Sequence, residues 1–138
     1  MKFAENFNHF VCPGDSITTE HQGFTLTATI IHDQDSGIND DDCHNPDQSV
    51  TGCNDEQFKH LLAARESYFR DEWWYCGIVI SVSKNGVDIS DHAGSLWGIE
   101  ANYPNSDNSY LTDTANDMLD EAVEAAKTEL ARIRLAVA

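Results

Sequence analysis

Residues 73–90 read WWYCGIVISVSKNGVDIS, and the period of that stretch decides the fold. Cys76, Ile78, Ile80 and Val82 occupy alternate positions, so an extended chain puts all four on one face. Lys84-Asn85-Gly86 follows with an Asn-Gly pair, the residues that best tolerate the positive φ angles of a two-residue hairpin turn. A hairpin onto VDIS (87–90) is therefore expected. Upstream, FTLTATIIH (24–32) sets Phe24, Leu26, Ala28 and Ile30 against Thr25, Thr27 and Thr29, the pattern of a half-buried strand. Downstream, SLWGIEA (95–101) predicts one more strand, and NYPNSDNSY (102–110) is rich in turn formers.

Two helices accompany these strands. Asn54 and Gln57 have the spacing of a capping box, and Phe58, Leu61, Leu62 and Phe69 recur at helical intervals, which predicts a helix over about 55–70. From about 113 to 136, Ala115, Met118, Leu119, Ala122, Val123, Ala126, Leu130 and Ile133 gather on one side of a helix. Asp113, Asp117, Asp120, Glu121 and Glu124 gather on the opposite arc. The apolar stripe requires a sheet to cover. The expected architecture is α+β: a two-layer sandwich in which a small antiparallel sheet of three to four strands packs one face against two helices. With no internal repeat and no linker composition, residues 1–138 read as a single domain with a long acidic loop at about 33–54.

Composition narrows the function. The chain has 138 residues, 24 acidic and 8 basic, for a formal charge of -16. Direct binding of nucleic acid or of an anionic membrane needs the Lys and Arg that are scarce here, so a basic protein is the favoured partner. The imbalance is sharpest up to residue 58, where eleven acids meet one base, Lys2. Met1-Lys2 is followed by polar FAENFNHF rather than a secretory signal, and no run approaches a membrane span. Those features imply an intracellular protein, in which Cys12, Cys43, Cys53 and Cys76 are expected as free thiols or ligands, with two structural disulfides the alternative that their even count leaves open.

Within HDQDSGINDDDCHNP (32–46) lie five aspartates, two histidines and a cysteine. A calcium loop counted from Asp33 fails, because Gly37 is fifth where the sixth position needs Gly, and His44 stands where a bidentate Glu is required. Cys43, His44, Cys53 and His60 offer zinc ligands without a common spacing, so a zinc- or calcium-binding accessory protein built on 33–60 is the alternative reading. Ser90-Asp91-His92 has the letters of a hydrolytic triad, yet consecutive residues cannot converge. No nucleophile elbow, phosphate-cradling glycine loop or dinucleotide fingerprint appears, so neither catalysis nor a cofactor is expected.

The acids remain. Asp117, Asp120, Glu121 and Glu124 on the last helix, joined by Asp40, Asp41 and Asp42 on the loop, would form a surface suited to a basic groove. The bland counterpart is that acids in the first turns of a helix complement its dipole. Trp73 and Trp74 should point to opposite faces at the strand entrance, and an exposed Trp73 beside Asp71 and Glu72 would serve as a contact anchor.

DEWWYCGIVISVSKNGV (71–87) and SLWGIEANYPNSDNSYL (95–111), preceded by DDDCHN (40–45) and VTGC (50–53), resemble short acidic open reading frames of phages and prophages. The resemblance spans about residues 14–125 and carries no catalytic motif or ligand. It implies a context, the host cytoplasm, and a role like that of inhibitors of host defence, including anti-restriction and anti-CRISPR proteins, some of which are DNA mimics. The partner implied is a basic host protein such as a nuclease or CRISPR effector subunit.

Overall fold

The computed structural model describes residues 1–138 and contains four strands in the order β1-β2-β3-β4, all antiparallel. They are β1 (Ser16–His21), β2 (Phe24–His32), β3 (Trp74–Lys84) and β4 (Val87–Ala101). The expected α+β class, a small antiparallel sheet with helices packed against it, is observed, but the two-layer arrangement is not, because helices lie on both sides of the sheet. Asn85 and Gly86 take φ of 51° and 78°, so the hairpin turn forms as their residue types require. Gln22 and Gly23 repeat that geometry between β1 and β2, at φ of 54° and 82°.

Register explains the main core. Leu26 faces Val82, Ala28 faces Ile80 and Ile30 faces Ile78, so the apolar positions of β2 and β3 share a face. That face is covered by α3 (Ser109–Asp117) and α4 (Leu119–Val137), through Leu111, Ala115, Leu119, Ala122, Val123 and Ala126, all buried. The single predicted helix is thus two, interrupted at Met118, whose N–H reaches the carbonyls of both Thr114 and Ala115. The N-terminal segment closes the same core with Phe3, Phe7 and Val11, held by side chains of Asn116, Thr112 and Asn102.

β4 corrects a second expectation. The VDIS and SLWGIEA segments are one strand of 15 residues whose pairing with β3 is shifted at irregularities between Cys76 and Ile78 and between Ile80 and Ser83. Bulges of this kind let a chain that loses alternation remain in the ladder.

The opposite side of the sheet carries a second cluster of Ile38, Trp73 and Tyr75, with Tyr68 and Tyr103 against it. Helix α2 (Asp55–Phe69), with its predicted capping box intact, packs here and not on the α4 side. Ala64 and Ser67 are its buried residues, while Phe69, expected on the apolar face, is exposed. No helix is long and apolar enough to cross a membrane.

Candidate functional site: an acidic depression on an ordered loop

The 33–54 segment is not an unstructured surface loop. It folds into two short 3-10 turns, Ile38–Asp40 and Asp42–His44, and a four-residue helix, α1 (Gln48–Thr51). Aspartate side chains build this order by accepting nearby backbone N–H groups, as short acceptors do in turns. Asp41 caps Cys43 N at 2.8 Å and Asp47 caps Ser49 N at 3.0 Å.

Three anchors fasten the segment. Asp33, buried, accepts from the N–H groups of Asp35 and Ser36, from the Ser36 hydroxyl at 2.7 Å, and from Gly98 N at 2.9 Å. Those bonds, the Ser36 hydroxyl foremost, hold its carboxyl below the ordinary aspartate range against the opposing effect of burial. Ile38 inserts beside Trp73 and Tyr75. His44, only 2% exposed, spans the third: its Nδ1 lies 2.6 Å from Asp41 Oδ2 and its Nε2 lies 2.7 Å from the Tyr103 hydroxyl. A carboxylate only accepts, so Nδ1 carries a proton toward Asp41, while Nε2 pairs with the Tyr103 hydroxyl.

Asp41 Oδ2 also accepts from the Tyr75 hydroxyl at 2.6 Å. Burial works to raise the Asp41 carboxyl, and the bonds from Tyr75 and His44 outweigh it, leaving the group below its usual range. The Tyr75 phenol moves up, by burial first and then by its bond to Asp41, and burial together with Glu100 and Asp41 pushes Tyr103 up to about 12. The Cys43 thiol is raised by the Asp41 charge first, so it is not poised as a nucleophile.

Asp35, Asp40, Asp41, Asp42 and Glu100 then line one depression of about 380 Å³, with Ser36, Gly37, Tyr75 and Gly98 and no Lys or Arg. Asp35, Asp40 and Asp42 are exposed. Glu100 is half-buried, and burial raises its carboxyl, with Asp41 adding to the rise and His44 opposing it. Arg65 reaches the loop from α2, yet its Nη1 goes to the His44 carbonyl at 3.3 Å and not to a carboxylate.

Of the residues singled out in the sequence, Asp40, Asp41 and Asp42 do come together, but only Asp40 and Asp42 are free to face a partner. Trp73 is not an anchor: it is 1% exposed, and its Nε1 donates to the Ala64 carbonyl at 2.8 Å. The chain at the strand entrance is covered on both sides, so alternation exposed neither indole fully. Asp117, Asp120, Glu121 and Glu124 are exposed, as expected. They ride on helices that pack against the Cys76–Ile78 face, whereas Tyr75 and Glu100 belong to the other, so helix and loop acids do not merge into one surface. Glu124 is further offset by Lys127 at 3.2 Å.

Cys43, His44, Cys53 and His60 do not converge, and no group of three or more His, Cys, Asp or Glu side chains could hold an ion. Both His44 nitrogens are occupied, and Cys53 Sγ lies 3.1 Å from Thr51 Oγ1. All four cysteines are free. Ser90, Asp91 and His92 lie along β4, joined only by a bond from His92 N to Ser90 Oγ. No buried side-chain nitrogen or oxygen lacks a partner.

The residues that sequence reasoning missed are Asp35 and Glu100. Asp35 carried a signal, its place in the acid run. Glu100 carried none, because its arrival depends on the Tyr75–Glu100 register. Comparison of the chain with protein families, curated proteins and solved structures yields no match.

Proposed function

We propose that the protein is a non-enzymatic inhibitor of a host nucleic-acid-targeting system, binding a basic protein surface in place of nucleic acid. The observation that carries this reading is the depression itself, where five carboxylates meet without a basic side chain. Carboxylates so arranged attract a cationic surface, speed its encounter and repel acidic competitors. Rigidity supports the same reading: a loop anchored by Asp33, Ile38 and His44 presents Asp40 and Asp42 without an ordering cost at each encounter. The helix acids contribute to the long-range field rather than to the contact.

The test is capture of a partner from a host lysate on the immobilised protein, with mass spectrometry of what is retained. A basic nuclease or effector subunit, released by rising salt and displaced by duplex DNA, is the expected result. A retained protein indifferent to salt, to DNA and to Asp40→Asn with Asp42→Asn contradicts the proposal.

A further inference from the structure

Helix α2 rests on the second cluster through small side chains. Ala64 and Ser67 are its buried residues, and Leu61 is left half-buried. Facing the helix, the chain that leaves β4 turns through Tyr103, Pro104 and Asn105. Between helix and turn lies a recess of about 620 Å³, the size of a small-molecule site and larger than the acidic depression, with which it shares no residue.

The lining of this recess has the opposite character. No Asp or Glu faces it, although the chain has 24. Leu61, Ala63, Ala64 and Pro104 supply apolar wall, Tyr103 supplies an aromatic face, and Arg70 stands at the C-terminal end of the helix. Glu72 takes the Nε of Arg70 at 2.9 Å, whereas the two Nη groups make no hydrogen bond within the chain. An open Nη pair offers a carboxylate two parallel donors. Both walls are fixed from behind by Trp73: its Nε1 donates to the Ala64 carbonyl at 2.8 Å, and its ring meets that of Tyr103 edge-on with centroids 4.8 Å apart. The recess is therefore formed before any ligand arrives, which spares an ordering cost on binding.

We infer that this recess binds a small aromatic carboxylate, with the ring between Tyr103 and the alanines of α2 and the carboxylate on the Nη pair of Arg70. Charge complementarity selects this occupant. An amine would meet the Arg70 charge with no acid in the lining to answer it, and an uncharged ring would leave the guanidinium fork unused. The site goes beyond the acidic-surface reading and stands or falls without it.

Two aromatic probes of one size test it by NMR titration, 2-naphthoate and 2-naphthylmethylammonium. The net charge of -16 attracts the amine and repels the carboxylate, so a preference for the carboxylate can arise only inside the recess. The expected result is that 2-naphthoate gives saturable shifts at the amides of residues 60–70, Tyr103 and Asn105, and binds there at least about tenfold tighter than the amine. Arg70→Gln should lose that tenfold, and Ala63→Phe, a change at an exposed position, should block the recess to both probes. Naphthoate shifts that do not saturate, or that fall outside these residues, overturn the site. Equal affinity of the two probes, or full naphthoate affinity in Arg70→Gln, overturns the carboxylate assignment.

Discussion

The hydroxyl of Tyr75 donates to Oδ2 of Asp41 at 2.6 Å, and the same oxygen faces His44 Nδ1 at 2.6 Å. One carboxylate thus ties the acidic loop to the central sheet and to the Trp73 cluster. Asp41→Asn removes the charge that both bonds use, and the expected loss is roughly 1–3 kcal/mol in urea denaturation. Because the folded carboxyl lies below its unfolded value of about 3.9, its stabilisation is complete above that pH and disappears as pH falls through the folded value. Wild-type stability should therefore drop below about pH 4 more steeply than that of Asp41→Asn.

Glu100 has the opposite sign. Burial raises its carboxyl, so the folded state favours the protonated form, and stability is lost as pH rises from the unfolded value through the folded one. Glu100→Gln should raise the melting temperature at pH 7 and leave it little changed well below the unfolded value of about 4.3, where Glu100 is protonated in both folded and unfolded chains. A cation docked beside Glu100 reverses the burial effect and expels its proton. Affinity for a basic partner should consequently rise as pH climbs through the raised Glu100 value in wild type, and Glu100→Gln should lose that part of the rise.

Gly77 and Trp97 form a coupled pair. A methyl group at Gly77 would meet the indole at 2.1 Å, so Gly77→Ala must push the ring off the sheet at about 1–3 kcal/mol. In a Trp97→Ala background the same substitution should cost far less. A double-mutant cycle by urea denaturation measures the difference, and additive costs would show that the ring is not seated there.

Trp73 carries the second cluster. Trp73→Ala should lose about 3–5 kcal/mol as a cavity opens beneath α2. Trp73→Phe should lose less while leaving the Ala64 carbonyl without its donor. Hydrogen exchange of the α2 amides checks whether the helix opens with the cluster.

Those residues also mark how far the sequence could be read. β2 spans the very residues 24–32 whose alternation predicted it, and Asn85-Gly86 turned the next hairpin, because local pattern and tertiary burial agree there. β1 escaped, since SITTEH buries only Ile17 and its Gln22-Gly23 turn is a weaker signal than Asn-Gly. β4 was split because its bulges break the period that defines a strand. The acidic loop looked structureless because its order comes from Asp side chains bonding backbone, with Ile38 as its lone deep apolar anchor. Asp40 and Asp42 could be chosen by charge alone; that Asp41 is spent internally and that Trp97 rather than Trp73 is exposed depends on contacts distant in the chain.

The most direct measurement of the central claim is the dependence of partner affinity on salt. For wild type, the logarithm of the binding constant should fall steeply as salt concentration rises, and the triple substitution Asp35→Asn, Asp40→Asn, Asp42→Asn should both weaken binding and flatten that slope. An unchanged slope and affinity in the triple variant would contradict the assignment of these carboxylates as the binding surface.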